Sequence, residues 1–183
     1  LSNLAEKIEY AEFLPSAPPR DFSFSPGEIN VFRKKEELTP SQWAARYRIV
    51  SLSSIPGPWR NENAPYLVEI MDTYGLEPVR KVIVCAGSQL GKTEAVYNCY
   101  AYRAIYNPGP KLIVMPNEKM AGRVAEDRIV PMINDCNPLR ALKSKNPDDI
   151  GKTRIKYLNG SFTYLAWSNS PALLASTPIE DLY

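Results

Sequence analysis

The segment Cys85-Ala86-Gly87-Ser88-Gln89-Leu90-Gly91-Lys92-Thr93 constrains the chain more than any other stretch. It ends in Gly-Lys-Thr, follows the β-branched and apolar run Val79 to Cys85, and opens Lys92 to Tyr106, a stretch long enough for a helix ended by Asn107-Pro108-Gly109. Strand, glycine-bearing turn and helix in that order make the setting a phosphate-binding loop needs. Backbone N–H groups of such a loop and of the helix start converge on a phosphate, and glycine stands where a side chain would block the approach. Residues Ala86, Gly87, Ser88, Gln89, Leu90, Gly91, Lys92 and Thr93 are therefore the expected nucleotide-binding set. Lys92 is the catalytic cation on the β- and γ-oxygens, and the Thr93 hydroxyl is the Mg²⁺ ligand that goes with ATP. The loop departs from G-x-x-x-x-G-K-[ST] at its head, where Ala86 holds the first glycine position and Gly87 follows one residue later.

What the chain lacks narrows its chemistry further. Its 183 residues contain no histidine, which removes Ser-His-Asp and Cys-His catalysis, His-ligated zinc and imidazole bases. The three cysteines, Cys85, Cys99 and Cys136, have no C-x-x-C spacing and read as buried free thiols. With 22 Lys and Arg against 20 Asp and Glu, a net charge of +2 gives no global grip on nucleic acid, so any such contact is local. No apolar run reaches the roughly 18 residues of a membrane span. The head of the chain shows no signal peptide, and Leu1 reads as the start of a trimmed chain with a cytosolic setting.

Proline sets the organisation. There are 17, where average usage of roughly 5% gives about nine, and they are densest before residue 70, where eight of them fall. Residues 1–38 are expected as a proline-rich N-terminal arm, with a short helix over 1–12 followed by extended chain from Pro15. Residues 39–78 read as a helical lead-in. Thr39-Pro40-Ser41-Gln42 is a capping box, and Leu67, Ile70, Met71 and Tyr74 give 65–74 one apolar face. Residues 79–183 read as the core. It has strands at Val79 to Cys85 and Lys111 to Met115, and a helix from Glu118 to about Val130 that Pro131 should end or kink. A two-residue hairpin follows around Asn159-Gly160. Alternating strand and helix predict an α/β fold of the P-loop NTPase type, a parallel sheet flanked by helices.

Four blocks in order carry a family resemblance: PGPWRNENAPYLVEIMD (56–72), KVIVCAGSQLGKTEAVYN (81–98), NPGPKLIVMPNEKMA (107–121) and NGSFTYLAWSNSPALLAST (159–177). Over residues 39–183 the chain resembles the lambda-like GpA family of tailed-phage terminase large subunits. The resemblance implies an ATP hydrolase, the motor that drives double-stranded DNA into a procapsid in the host cytoplasm. Implied partners are the DNA, a small terminase subunit, the portal and further copies of the chain in a ring, without a membrane. Many terminases carry arginine just before the loop glutamine, whereas Ser88 stands there in this chain. The missing finger must come from another residue or from a neighbouring subunit, with Arg123 and Arg128 as candidate donors and Arg80 as a further candidate within the same chain. The family's acidic Walker B strand should follow the Ser-Pro-Ala-Leu-Leu-Ala-Ser segment, but Glu180-Asp181 has the wrong order for its Asp-Glu pair and reads as the lead-in to that strand. The chain is accordingly expected to be an N-terminal part of the ATPase fold, truncated before Walker B and inactive or weakly active alone.

Secondary readings concern the flanks. Trp43, Tyr47, Trp59 and Tyr66 lie in the region where the family contacts adenine, although core packing explains buried aromatics more often. Gln42 is either an adenine reader or the capping-box partner. Lys143, Lys145, Lys152, Arg154 and Lys156 form the densest basic run, diluted by Asp148 and Asp149, and read as a DNA-phosphate track or a solvated loop. The rival functions are another P-loop translocase or helicase, and a non-catalytic docking module of the packaging complex.

Overall fold

Thr39 starts the first helix as its sequence predicts: its side chain accepts from the Gln42 N–H, and Gln42 Oε1 accepts from the Thr39 N–H at 3.0 Å. The computed structural model describes residues 36–53, 55–76, 78–175 and 178–183, so the expected arm and its helix over 1–12 lie outside the described residues except at 36–38. Within Glu37–Tyr183, one compact unit, helix α1 (Pro40–Tyr47) buries Trp43 and Ala44. A short antiparallel pair follows, β1 (Ile49–Val50) with β2 (Gly57–Pro58). Helix α2 (Tyr66–Tyr74) buries Leu67 and Met71, one turn apart. The Asp72 carboxylate accepts from the Ser41 N–H at 2.9 Å and from its hydroxyl at 2.8 Å, which locks α1 to α2.

Helix α3 (Lys92–Tyr106) is the central helix. Ala95, Ala101 and Ala104 lie on its buried surface, and small residues let neighbouring elements approach closely. Strand β3 (Pro110–Met115) lies beyond it and is paired in parallel on both sides, with β5 (Phe162–Trp167) and with β6 (Asp181–Leu182). Strand β4 (Arg154–Lys156) joins β5 antiparallel, giving a four-stranded mixed sheet in the order β4-β5-β3-β6. The β4–β5 turn holds three residues, not two, because Tyr157 still pairs with Ser161 through a 2.9 Å bond. Gly160 takes φ 84° in it, the left-handed position a three-residue turn reserves for glycine.

Two further expectations are corrected. Of the two outcomes expected at Pro131, an end or a kink, the end does not occur. Helix α4 (Glu118–Val124) widens into a π turn over Ala125–Ile129 and continues as α5 (Val130–Asp135), so the wider turn accommodates the proline without breaking the helix. The run Val79 to Cys85 is not a strand, since no described residue forms a ladder with it. Val82 and Val84 turn to a cavity of about 390 Å³ whose other lining includes Ile113, Met115, Leu182 and Tyr183, while Ile83 between them is 76% exposed. The alternation of a strand is present, but the cavity separates it from the sheet and hydrogen bonds cannot form across it.

Two buried polar groups fasten the helices to the sheet. Tyr100 on α3 meets the Tyr157 hydroxyl at 2.8 Å and the Thr163 hydroxyl at 2.9 Å. Burial pushes the Tyr100 phenol up to about 12 and that of Tyr157 well above its ordinary value. At the start of β3, the fully buried Lys111 ammonium lies 3.0 Å from Asp181, which also accepts from Arg103 at 2.8 Å. Cys99 and Cys136 are buried as expected, but Cys85 is exposed beside the loop because its segment lacks strand neighbours to cover it.

Candidate functional site

The loop from Ala86 to Thr93 reverses its backbone twice in the left-handed region, at Gln89 (φ 58°) and at Gly91 (φ 75°). Gly91 is the residue before α3 and has the Leu67 side chain packed against it: a Cβ there would come within 3.2 Å of Leu67 Cδ1. Glycine therefore serves this position twice, by its φ and by the close approach. A left-handed non-glycine residue such as Gln89 costs about 1–2 kcal/mol and marks a constrained turn. Lys92 begins the helix, and its ammonium folds back to donate to the Ala86 carbonyl at 3.0 Å and to the Gly87 carbonyl. Thr93 follows on the exposed side of the first turn. The Tyr66 hydroxyl donates to the Leu90 carbonyl at 3.1 Å and ties the loop to α2.

One side of the loop opens on a cleft of about 450 Å³ lined by Leu52, Ser53, residues 89–94 and Arg128. The size is within the range of small-molecule sites. Glu94, in the first turn of α3, holds two arginines at its wall. Arg48 donates to Oε2 at 2.8 Å from a nearly closed position, with further bonds to Asn98 Oδ1 at 3.2 Å and to the Ile49 carbonyl. Arg128 donates to Oε1 at 3.3 Å and to the Leu52 carbonyl. Neither Glu94 nor the Leu52 strap was singled out from sequence. The only signal was an acid directly after Gly-Lys-Thr, which by spacing alone reads as a favourable charge at a helix start.

The donor set fits the phosphate end of a nucleotide. The start of a fifteen-residue helix, an ammonium resting on neutral carbonyls and a guanidinium line a single cleft. Among the described residues no group of three or more Asp, Glu, Cys or His is arranged to hold a metal by itself.

The other sequence candidates fall elsewhere. Arg123 on α4 lines a separate cavity of about 460 Å³ with Lys119, Lys152 and Trp167, apart from the loop. Trp43 is wholly buried, Gln42 is spent in its capping box, and the Trp59 indole donates to Asn61 at 2.8 Å, so these three serve packing and turns. The basic run is broken up: Lys152 pairs with Glu126 at 2.7 Å and Lys143 with Asn134 at 2.9 Å, while Ile155 between Arg154 and Lys156 points into the core. Asp148 and Asp149 form a single 3₁₀ turn. Asp181 sits opposite Lys111 at the first residues of β3 and binds Arg103, eleven residues along α3 from Lys92, roughly 16 Å at 1.5 Å per residue. Its carboxylate is spent on Arg103 and Lys111.

A mixed sheet flanked by helices, with a lysine at the mouth of a glycine-bearing loop, is consistent with an ATPase-type α/β fold. The model of the family of phage terminase large subunit gpA, ATPase domain, matches residues 53–183, and the chain belongs to that family. A search of the curated proteins finds no match. Among the described residues no helix is long and apolar enough to cross a membrane.

Proposed function

We propose that the loop 86–93 binds Mg-ATP and that the protein is the ATPase part of a motor that moves double-stranded DNA into a procapsid. The observation that carries this reading is the loop itself, turned by left-handed Gln89 and Gly91, with Lys92 at the start of α3, in a chain of the terminase family. Loop amides and the α3 N-terminus would cradle the β-phosphate, and Lys92 would leave the Ala86 and Gly87 carbonyls for the β- and γ-oxygens. The Thr93 hydroxyl would hold Mg²⁺, which when bound neutralises charge on those oxygens. Glu94 is committed to two arginines, so it is not the base that activates water. Small subunit, portal and further copies of the chain complete the machine. In a packaging reaction with procapsids and linear DNA, Lys92→Ala should abolish both ATP turnover and DNA uptake. Uptake that persists in this variant would refute the motor assignment of this loop and leave the chain a docking module.

A further inference from the structure

We infer that Arg128 is the cation that meets the terminal phosphate, supplied by the same chain that supplies the loop, and that Glu94 holds it at the cleft until nucleotide arrives. The inference rests on the reading of 86–93 as a phosphate-binding loop and adds a residue to it. The loop's neutral Ser88 leaves Lys92 as its one positive side chain, and among the described residues Arg128 is the other cation lining the cleft. Its position comes from the helix that carries it. Arg128 lies within the π turn Ala125–Ile129, and such wide turns displace side chains from the regular helical spacing.

Its one backbone tie is to the Leu52 carbonyl, and its contact with Glu94 is long and half-open, as befits a parked group. Arg48 already neutralises Glu94 from a site 4% exposed, at 2.8 Å and with two further acceptors. Arg128 is 40% exposed and adds a second positive charge to the same carboxylate at 3.3 Å. Among the described residues, Lys92 and Arg128 line the cleft with Glu94 as its one carboxylate, and Arg48 already neutralises that carboxylate from behind, so the cleft carries an excess of positive charge. A triphosphate would relieve that excess. A phosphate oxygen bound by a guanidinium gives a stronger, bidentate contact than a carboxylate already shared. Loop amides and Lys92 reach the β-phosphate, which ADP also has, so the added contact bears on the γ-phosphate.

The test compares Mg-AMP-PNP with Mg-ADP, titrated into the 183-residue protein and followed by intrinsic fluorescence or calorimetry. Arg128→Ala should weaken AMP-PNP roughly tenfold and leave ADP within about twofold. Arg128→Lys should recover part of the loss, and the preference for AMP-PNP should be unchanged on tenfold dilution of the protein. Equal weakening of both nucleotides would reduce Arg128 to a support of the loop, and no weakening would remove it from the site. Either result overturns the inference if Lys92→Ala still loses both ligands. A preference that disappears on dilution would overturn it in favour of an arginine from a neighbouring subunit. Wild-type protein that binds neither nucleotide overturns it together with the loop assignment.

Discussion

Gly91 shows how single residues divide between fold and site. Alanine there would have to enter the left-handed region and press on Leu67, so Gly91→Ala should cost about 1–2 kcal/mol in urea unfolding and also weaken nucleotide binding. Lys111 and Asp181 give an asymmetric pair. Asp181→Ala leaves a fully buried ammonium with only the Asn107 carbonyl at 2.9 Å, and should cost about 3–5 kcal/mol. Lys111→Met leaves Asp181 with Arg103 and should cost clearly less, which the same unfolding experiment measures. The place of Lys92 and Thr93, at the start of a helix that follows a glycine-bearing turn, was legible in the sequence because it is set locally by a few consecutive residues. Arg128 was named, but its place was not legible. Its closeness to Glu94 depends on a contact across 34 residues and on a π turn that no spacing rule announces.

At the scale of elements, the Tyr100, Tyr157 and Thr163 hydroxyls join α3 to the β4–β5 hairpin, and their burial makes that joint sensitive to alkali. A phenol raised on folding keeps its proton in the native state when the unfolded chain has lost it. Stability is therefore full below the ordinary value near 10 and falls as the pH rises from there toward about 12. The expected slope is about 1.4 kcal/mol per pH unit for each such tyrosine, and Tyr100→Phe should flatten it while costing about 1 kcal/mol at neutral pH. Denaturant melts at pH 8, 10 and 11 measure both. Helices α1 to α3 and strands β3 and β5 were legible, because capping boxes, apolar faces and β-branched runs act within one segment. Residues 79–85 were misread for the complementary reason. Their pattern is a strand's, but a strand also needs a partner at hydrogen-bonding distance, and a cavity lies there instead.

On the scale of the whole molecule, the mixed sheet is consistent with an ATPase-type fold, and the family match places the chain among the ATPase domains of phage terminase large subunits. The sequence pointed to this family through four separated blocks, and only folding shows that Asp181, in the last of the strands, faces Lys111 and Arg103 and not the loop. The claim beneath all of this is that 86–93 holds a triphosphate. Titration of the wild-type chain and of Lys92→Ala with a fluorescent ATP analogue and Mg²⁺ tests it most directly. The account predicts saturable binding by the wild type and none by the variant, and equal affinities for the two would contradict it.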